Sequence, residues 1–142
     1  MTHTIKTITT LPELQALMKV FALAFESEYH TDDRYLVNML ENSSTILIGA
    51  YGHTDLIGGL VAFEIHPIHG KKEIYIYDIA VHPDYQKQGI GKHLIDYLKV
   101  EGKNRGIDTI FVEAESEDEG AVAFYRAIGG EEIKVNHFNF II

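Results

Sequence analysis

Six residues, Gln86-Lys87-Gln88-Gly89-Ile90-Gly91, set two glycines one residue apart between an apolar, aromatic run, Glu73 to Val81, and a helical run that begins at Ile90. A helix starting there leaves its first N–H groups unpaired, at the positive end of the helix dipole. Gly89 and Gly91 carry no Cβ, so an anion such as a pyrophosphate can approach the backbone closely. Lys87 and Lys92 add local positive charge. Two better-known phosphate loops do not fit. A P-loop needs Ser or Thr after Gly-Lys, but His93 follows Lys92, and Gln86 stands where its first glycine belongs. A dinucleotide fingerprint needs a third glycine, and that position is Leu94. From these residues alone, the loop is a pyrophosphate cradle or a plain strand-to-helix turn.

Three further features could carry chemistry. Asp78 interrupts "YIYDIAV", a run otherwise suited to a buried strand, and a lone carboxylate there calls for a reason. "EAESEDEG" supplies Glu113, Glu115, Glu117, Asp118 and Glu119 together, either as a cation-binding wall or, in part, as first-turn helix capping. Glu28, Asp32 and Asp33 line a second wall or form a solvated loop. Eight histidines raise the question of a metal, but "HPIH" contains Pro67 and no H-E-x-x-H occurs, so no metal site is expected.

The elements that must position these groups can be read from periodicity. "TLPELQALMKVFALAF" reads as a helix, with Thr10 as N-cap, Glu13 completing a capping box and Pro12 in the first turn. Leu14, Leu17, Met18, Phe21 and Phe25 recur at helical spacing. A short helix ends near Asn42. "STILIGAYG" and "DLIGGLVAFEIH" are strands around a hairpin turn at Gly52 to Asp55, and "EIYIYDIAVHP" is a third. The helix from Ile90 carries Ile90, Leu94 and Leu98 on one stripe and stops at Gly106. "DTIFVEAE" is a strand. Ser116 and Glu119 suggest a second capping box, before a helix that buries Ala121, Phe124 and Ile128 and ends at Gly129-Gly130. "EEIKVNHFNFII" closes the order as a strand. The expected class is α/β with a mixed sheet and helices on both faces.

The 142 residues fit a single domain, 1–142, with enough length to bury a core. Hydrophobic residues make up 46% and charged residues 23%, a globular balance. A net charge of -9 argues against nucleic acid and suits a cationic partner or plain solubility. The lack of cysteine excludes a thiol nucleophile, a disulfide framework and thiolate zinc sites. No stretch approaches a membrane span and the first residues have no apolar signal region, so the chain reads as cytoplasmic.

"IYDIAVHPDYQKQGIGKHLI" resembles the central motif of the Gcn5-related N-acetyltransferases, [QR]-x-x-G-x-[GA] after a strand ending in A-V-x-P. Ala121, Tyr125, Gly129 and Gly130 match the family's second hallmark; where the family carries asparagine, seven residues before the tyrosine, this chain has Asp118. "EIYIYDIAV", "EAESEDEGAVAFY", "EEIKVNHFNF" and "YHTDDRYLVNML" further resemble the type I aminoglycoside 3-N-acetyltransferases. The resemblance implies a mostly antiparallel sheet splayed at a cofactor cleft, with a bulge around Ile79 to Val81, and acetyl-CoA as acyl donor. Contacts to it are expected from Ile79, Ala80, Val81, the loop Gln86, Lys87, Gln88, Gly89, Ile90, Gly91 and Lys92, and Asp118, Ala121 and Phe124. Tyr125 would protonate the leaving thiolate and Asp78 would serve the amine. Asp33, Asp78, Glu113, Glu115 and Asp118 would meet a cationic small-molecule amine, expected to be acetylated on the 3-amino group of a gentamicin-type aminoglycoside by direct attack on the thioester. Other acceptors in the same class are a polyamine, a small metabolite or a protein N-terminus. A non-catalytic acyl-CoA-binding module is the rival outside it. No nucleic acid, membrane or metal partner is expected, and assembly as a homodimer stays open.

Overall fold

The computed structural model describes residues 2–142. Its elements run β1 (Thr4–Thr7), α1 (Leu11–Ala24), α2 (Asp33–Glu41), β2 (Thr45–Gly52), β3 (Asp55–Ile65), β4 (Glu73–Val81), α3 (Ile90–Asn104), β5 (Ile110–Val112) and α4 (Glu119–Ala127), with one 3-10 turn at Pro83–Tyr85. The strands form one sheet in sequence order, β1-β2-β3-β4-β5. The first four pair antiparallel; β5 joins β4 in parallel, across α3. This is the expected mixed sheet with helices on both faces.

Strand alternation sorts the core into two layers. Ile46, Ile48, Leu60, Ala62, Ile74 and Ile76 face α3 and meet Ile90, Leu94 and Leu98. Leu47 and Val61 face the other way, onto Leu14, Leu17, Phe21 and Leu36 of α1 and α2. Leu17 is fully buried, and truncating such a leucine to alanine typically costs about 2–5 kcal/mol. α1 lies close to the sheet because β3 offers it no side chain at Gly59: a Cβ there would stand 2.6 Å from the Ile48 carbonyl oxygen and 2.6 Å from Leu17 Cδ1.

The caps fix where α1 and α2 begin. Thr10 Oγ1 accepts from the Glu13 N–H at 3.3 Å, and the Glu13 carboxylate reaches back to accept from the Thr10 hydroxyl at 2.9 Å and from the Thr9 N–H at 3.4 Å, one residue ahead of the N-cap N–H that the expected capping box would use. Glu13 also accepts from the Tyr51 hydroxyl, which holds its carboxyl below the ordinary range. Asp32 caps α2 through the Tyr35 N–H at 2.9 Å.

Four expectations are corrected. β1 is a strand the sequence pattern did not reveal, because Ile5 is its only partly buried apolar residue. The N-cap of α4 is Asp118 and not Ser116: its carboxylate accepts from the Ala121 N–H at 3.1 Å. Ala121, Phe124 and Ile128 are half-buried and not buried, since α4 packs beside a gap in the sheet. Residues 131–142 form no strand; they run on past α4 with no turn or bend and make no backbone–backbone hydrogen bond among the described residues.

Candidate functional site

The geometry of the site starts from two irregularities in β4. In the β3–β4 register Val61 pairs with Asp78 and Ala62 with Ile76, so Tyr77 has no partner: it is a β-bulge. Strict alternation from Ile74 and Ile76 would have sent Asp78 into the core against α3. The extra residue turns it to the α1–α2 face instead, along with Val61. The bulge thus lies at Tyr77, ahead of the expected Ile79 to Val81.

The second irregularity is a splay. β5 pairs with β4 only through Ile74, Tyr75 and Ile76, opposite Ile110, Phe111 and Val112. From Tyr77 to Val81, which includes Ile79 and Ala80, the β4 edge toward β5 has no strand partner. Those backbone groups are free to meet an extended amide-bearing ligand.

The glycine loop follows. Gln86 Nε2 donates to the Val81 carbonyl at 3.0 Å and closes the loop back on the strand. Lys87 (φ 62°) and Gly89 (φ 80°) are both left-handed, and they turn the chain into α3. Gln86, Lys87, Gln88 and Gly89 are exposed; Ile90 is buried and anchors the turn. Thr10, Asp32 and Asp118 cap their helices with side chains, whereas α3 starts at Gly89 with no side-chain cap and no acid in its first turn. Its leading N–H groups are therefore available to an anion. Lys92 is drawn to Asp96 at 2.9 Å, so Lys87 is the loop lysine without an ion pair among the described residues. Gly91 serves packing: a Cβ there would meet Phe124 Cζ at 3.0 Å.

On the far side of β4, α1, α2 and the chain between them enclose an open cleft of about 520 Å³, solvent space included. Its walls are mostly apolar, among them Leu14, Met18, Phe21 and Met39, with Tyr29, Thr31, Tyr35 and Asp78 as polar groups. Asp78 is half-buried and has no hydrogen-bond or ion-pair partner among the described residues. Burial pushes its carboxyl above the ordinary range. Tyr125, on α4, is pushed up to about 12 by burial, then by the charges of Asp118 and Asp78. Burial and Asp78 raise Tyr29 as well. One carboxylate thus acts on tyrosines from two walls.

The remaining acids are placed otherwise. Asp33 accepts from Gln15 at 2.8 Å, and Glu28 sits 3.5 Å from His30 in solvent. Glu113 accepts from the Tyr75 hydroxyl at 2.9 Å, and its other oxygen lies 3.5 Å from His137. Glu115 is exposed. Of the acids expected at the acceptor, only Asp78 lines this cleft. Tyr29, Thr31 and Tyr35 were not singled out from the sequence. Tyr29 and Thr31 sit between α1 and α2 and Tyr35 in the first turn of α2, and only their place in "YHTDDRYL" marked them. No group of His, Asp and Glu among the described residues could hold a metal ion, and no helix among them is long and apolar enough to cross a membrane.

Known proteins match this arrangement. Residues 14–129 match the Acetyltransferase (GNAT) family. The [ribosomal protein bS18]-alanine N-acetyltransferase of Escherichia coli K12 is 35% identical over 78 residues, 55% of this chain and 52% of that one, so the chain spans about half the length of the curated relatives it matches. Among solved structures, the aminoglycoside acetyltransferase meta-AAC0020 from an uncultured soil metagenomic sample, in complex with sisomicin, superposes with a TM-score of 0.94 at 28% identity, covering 99% of this chain and 96% of that one. A second soil aminoglycoside acetyltransferase, HMB0005, gives 0.92 at 31% identity, with 100% and 99% covered.

Proposed function

The chain belongs to the Acetyltransferase (GNAT) family, and from that premise we propose that it transfers an acetyl group from acetyl-CoA to an amino group of an aminoglycoside. The residues fit such a donor. The bare α3 N-terminus and left-handed Gly89 suit a pyrophosphate, and the unpaired β4 edge from Tyr77 to Val81 suits the amides of a pantetheine arm. When bound, acetyl-CoA supplies an activated thioester; everything else falls to the chain.

Asp78 carries this reading. It is the half-buried carboxylate of the cleft and has no partner of its own. An ammonium arriving there gains a charge-assisted hydrogen bond and then gives up its proton, to Asp78 or to water held by it. The raised carboxyl makes Asp78 a better base than an exposed aspartate. Tyr125 holds a proton for the departing sulfur. A phenol near 12 facing a thiol near 8.5 is a reluctant acid, and on the order of 5 kcal/mol must be offset. The incoming cation offsets part of it, because it opposes the Asp78 charge that helps to raise the phenol. Direct attack needs no enzyme nucleophile, which accords with a chain lacking cysteine.

The amino group we assign is the 3-amino, on the resemblance of the β4 and α4 segments. The apolar walls at Leu14, Met18, Phe21 and Met39 favour a second acceptor, a protein N-terminus, whose first side chain they could receive. A thiol-release assay over gentamicin, sisomicin, spermidine and N-terminal peptides separates these readings, and NMR of the product locates the acetyl group. Turnover of aminoglycosides above peptides supports the proposal. Turnover of peptides alone moves the acceptor to the second reading, and no thiol release with any amine overturns both.

A further inference from the structure

Two histidines meet where the chain enters β1 and where α3 completes its first turn. His3 Nε2 and His93 Nδ1 stand 2.7 Å apart, and the rings stack with centroids 4.8 Å apart. The contact is set up from both elements. His93 and Tyr97 share one face of α3, and His3 and Thr7 share one face of the first strand, so Thr7 Oγ1 and the Tyr97 hydroxyl approach at 3.4 Å beside the rings. Neither histidine has a part in the acetyl transfer derived above.

His93 also borders the anion loop. It comes four residues after Gly89, and helical side chains lean toward the N-terminus, so its ring covers the turn that Gly89 opens. Its N–H donates to the Gly89 carbonyl at 3.1 Å, and a Cβ on Gly89 would stand 3.8 Å from its Cε1. The histidine pair therefore flanks the leading N–H groups of α3.

The number of protons decides what the pair can do there. Two ring nitrogens at 2.7 Å hold one proton between them, with one N–H donating and one lone pair accepting. One added proton, placed on the far nitrogen of the donating ring, keeps this bond as imidazolium to imidazole and gives the pair a single positive charge. A second added proton removes the accepting lone pair and sets two cations ring to ring. The pair thus titrates in two coupled steps, and only the first keeps the contact. The charged groups around it are few. On α3, Lys92 and Asp96 engage each other at 2.9 Å, and Asp96 feels the charge of His93. On the strand side, His3 is held below the ordinary imidazole range by burial, then by His93 and the chain's amino terminus. The pair is therefore short of its added proton near neutrality until a negative charge arrives.

We propose that the His3–His93 pair is a proton-gated part of the donor site: when the pyrophosphate of acetyl-CoA seats at the start of α3, the pair takes one proton from solvent and its positive charge offsets the phosphates. This rests on the donor reading given above and adds to it a dependence on pH that glycines and lysines cannot supply near neutrality. Binding that takes up a proton strengthens as pH falls, so this chain holds its donor more tightly on the acid side of neutrality than a chain without the pair. It also gives the first residues of β1 a role in donor binding, through His3.

The test is calorimetric titration of the full chain with acetyl-CoA near pH 7, in two buffers of different ionisation enthalpy, which counts the protons taken up. The 3′-phosphate of the ligand titrates in the same range, so the comparison is with His93→Asn and His3→Gln, which keep a polar atom near each contact nitrogen but cannot be protonated. The unmodified chain should take up at least about 0.3 proton more than either variant. Equal uptake in all three overturns the proposal, and so does a loss confined to one variant, because the pair acts as a unit. NMR of the unmodified chain decides the matter even if a variant does not fold. The His3 and His93 ring signals should titrate at least about half a pH unit higher with acetyl-CoA bound than without it. Ring signals that titrate alike in both states overturn the proposal. A chain that binds no acetyl-CoA at all overturns the donor reading, and this inference with it.

Discussion

Phe124 of α4 rests its ring against Gly91 of α3 so closely that a β-carbon at position 91 would stand 3.0 Å from Cζ. This contact couples the helix that opens the anion loop to the helix that carries Tyr125. In Gly91→Ala, helix propensity should return about 1 kcal/mol, while crowding Phe124 should remove about 1–3 kcal/mol. The two nearly cancel, so the melting temperature should move by only a few degrees. The displaced ring takes its neighbour Tyr125 with it, and kcat should fall about tenfold or more. Adding Phe124→Leu to the Gly91→Ala variant should restore part of it. Steady-state kinetics with unchanged kcat for Gly91→Ala would contradict this coupling.

At Gly89 the backbone is left-handed and the space is open, with no heavy atom nearer than His93 Cε1 at 3.8 Å. Gly89→Asp brings both strain and negative charge. Gly89→Asn brings the same small backbone cost without the charge, since asparagine and aspartate adopt this conformation alike. Acetyl-CoA affinity measured by calorimetry should fall at least about tenfold further for Asp than for Asn, roughly 1.4 kcal/mol. Equal losses would mean that the loop responds to backbone shape and holds no pyrophosphate.

Tyr125→Phe should lower kcat by about 10² with little change in KM for acetyl-CoA. Because burial, Asp118 and Asp78 push the phenol up to about 12, it stays protonated across the assay range. The pH profile of kcat/KM should then rise as the amine and Asp78 lose protons, with no fall below about pH 11. A wild-type turnover number in the Phe variant would make Tyr125 a packing residue.

Asp78→Asn should have opposite effects on activity and stability. Acetylation of a polycationic amine should lose about 10² or more in kcat/KM while acetyl-CoA binding persists. The wild-type KM for that amine should rise with salt, as the screening length shrinks from about 10 Å at 0.1 M to about 3 Å at 1 M. The folded carboxyl titrates above its unfolded value, so the native state binds the extra proton in the window between the two. Stability therefore declines as pH rises through that window, and at pH 7 the native state carries a charge that burial disfavours. Replacing it with asparagine should raise the melting temperature at pH 7 by on the order of 1 °C or more. The gain should vanish near pH 3, where both states of the wild type are protonated. A loss of stability at pH 7 would show that Asp78 has a partner in solution.

What could be read in advance followed from local chemistry. Thr10 and Glu13 spelled a cap, the runs "STILIGAYG" and "DLIGGLVAFEIH" spelled strands around a hairpin, and Gly89 spelled a turn. What could not be read depended on a neighbouring strand or on a choice between similar groups. The bulge at Tyr77 exists only in register with Val61 and Ala62, and it decides which face Asp78 meets. Ser116 and Asp118 both suit an N-cap, and only the path of the chain selects between them. β1 has too short a pattern, with Ile5 alone facing inward. The strand character of residues 131–142 was legible, but the absence of a partner for it was not.

The order in which the strands join has a kinetic meaning. β2, β3 and β4 are chain neighbours linked by a two-residue turn at His53-Thr54 and the loop 66–72, so their contacts close at low entropic cost. β5 reaches β4 only after α3 has formed, and three pairs hold it there. The meander that carries Asp78 is thus expected to be built in the folding transition state, and the β5–α4 unit that carries Tyr125 to dock after it. Substitutions on α4 should then speed unfolding and leave the folding rate nearly unchanged. The native-state lifetime of the chain is then expected to be set by the same helix that bears Tyr125.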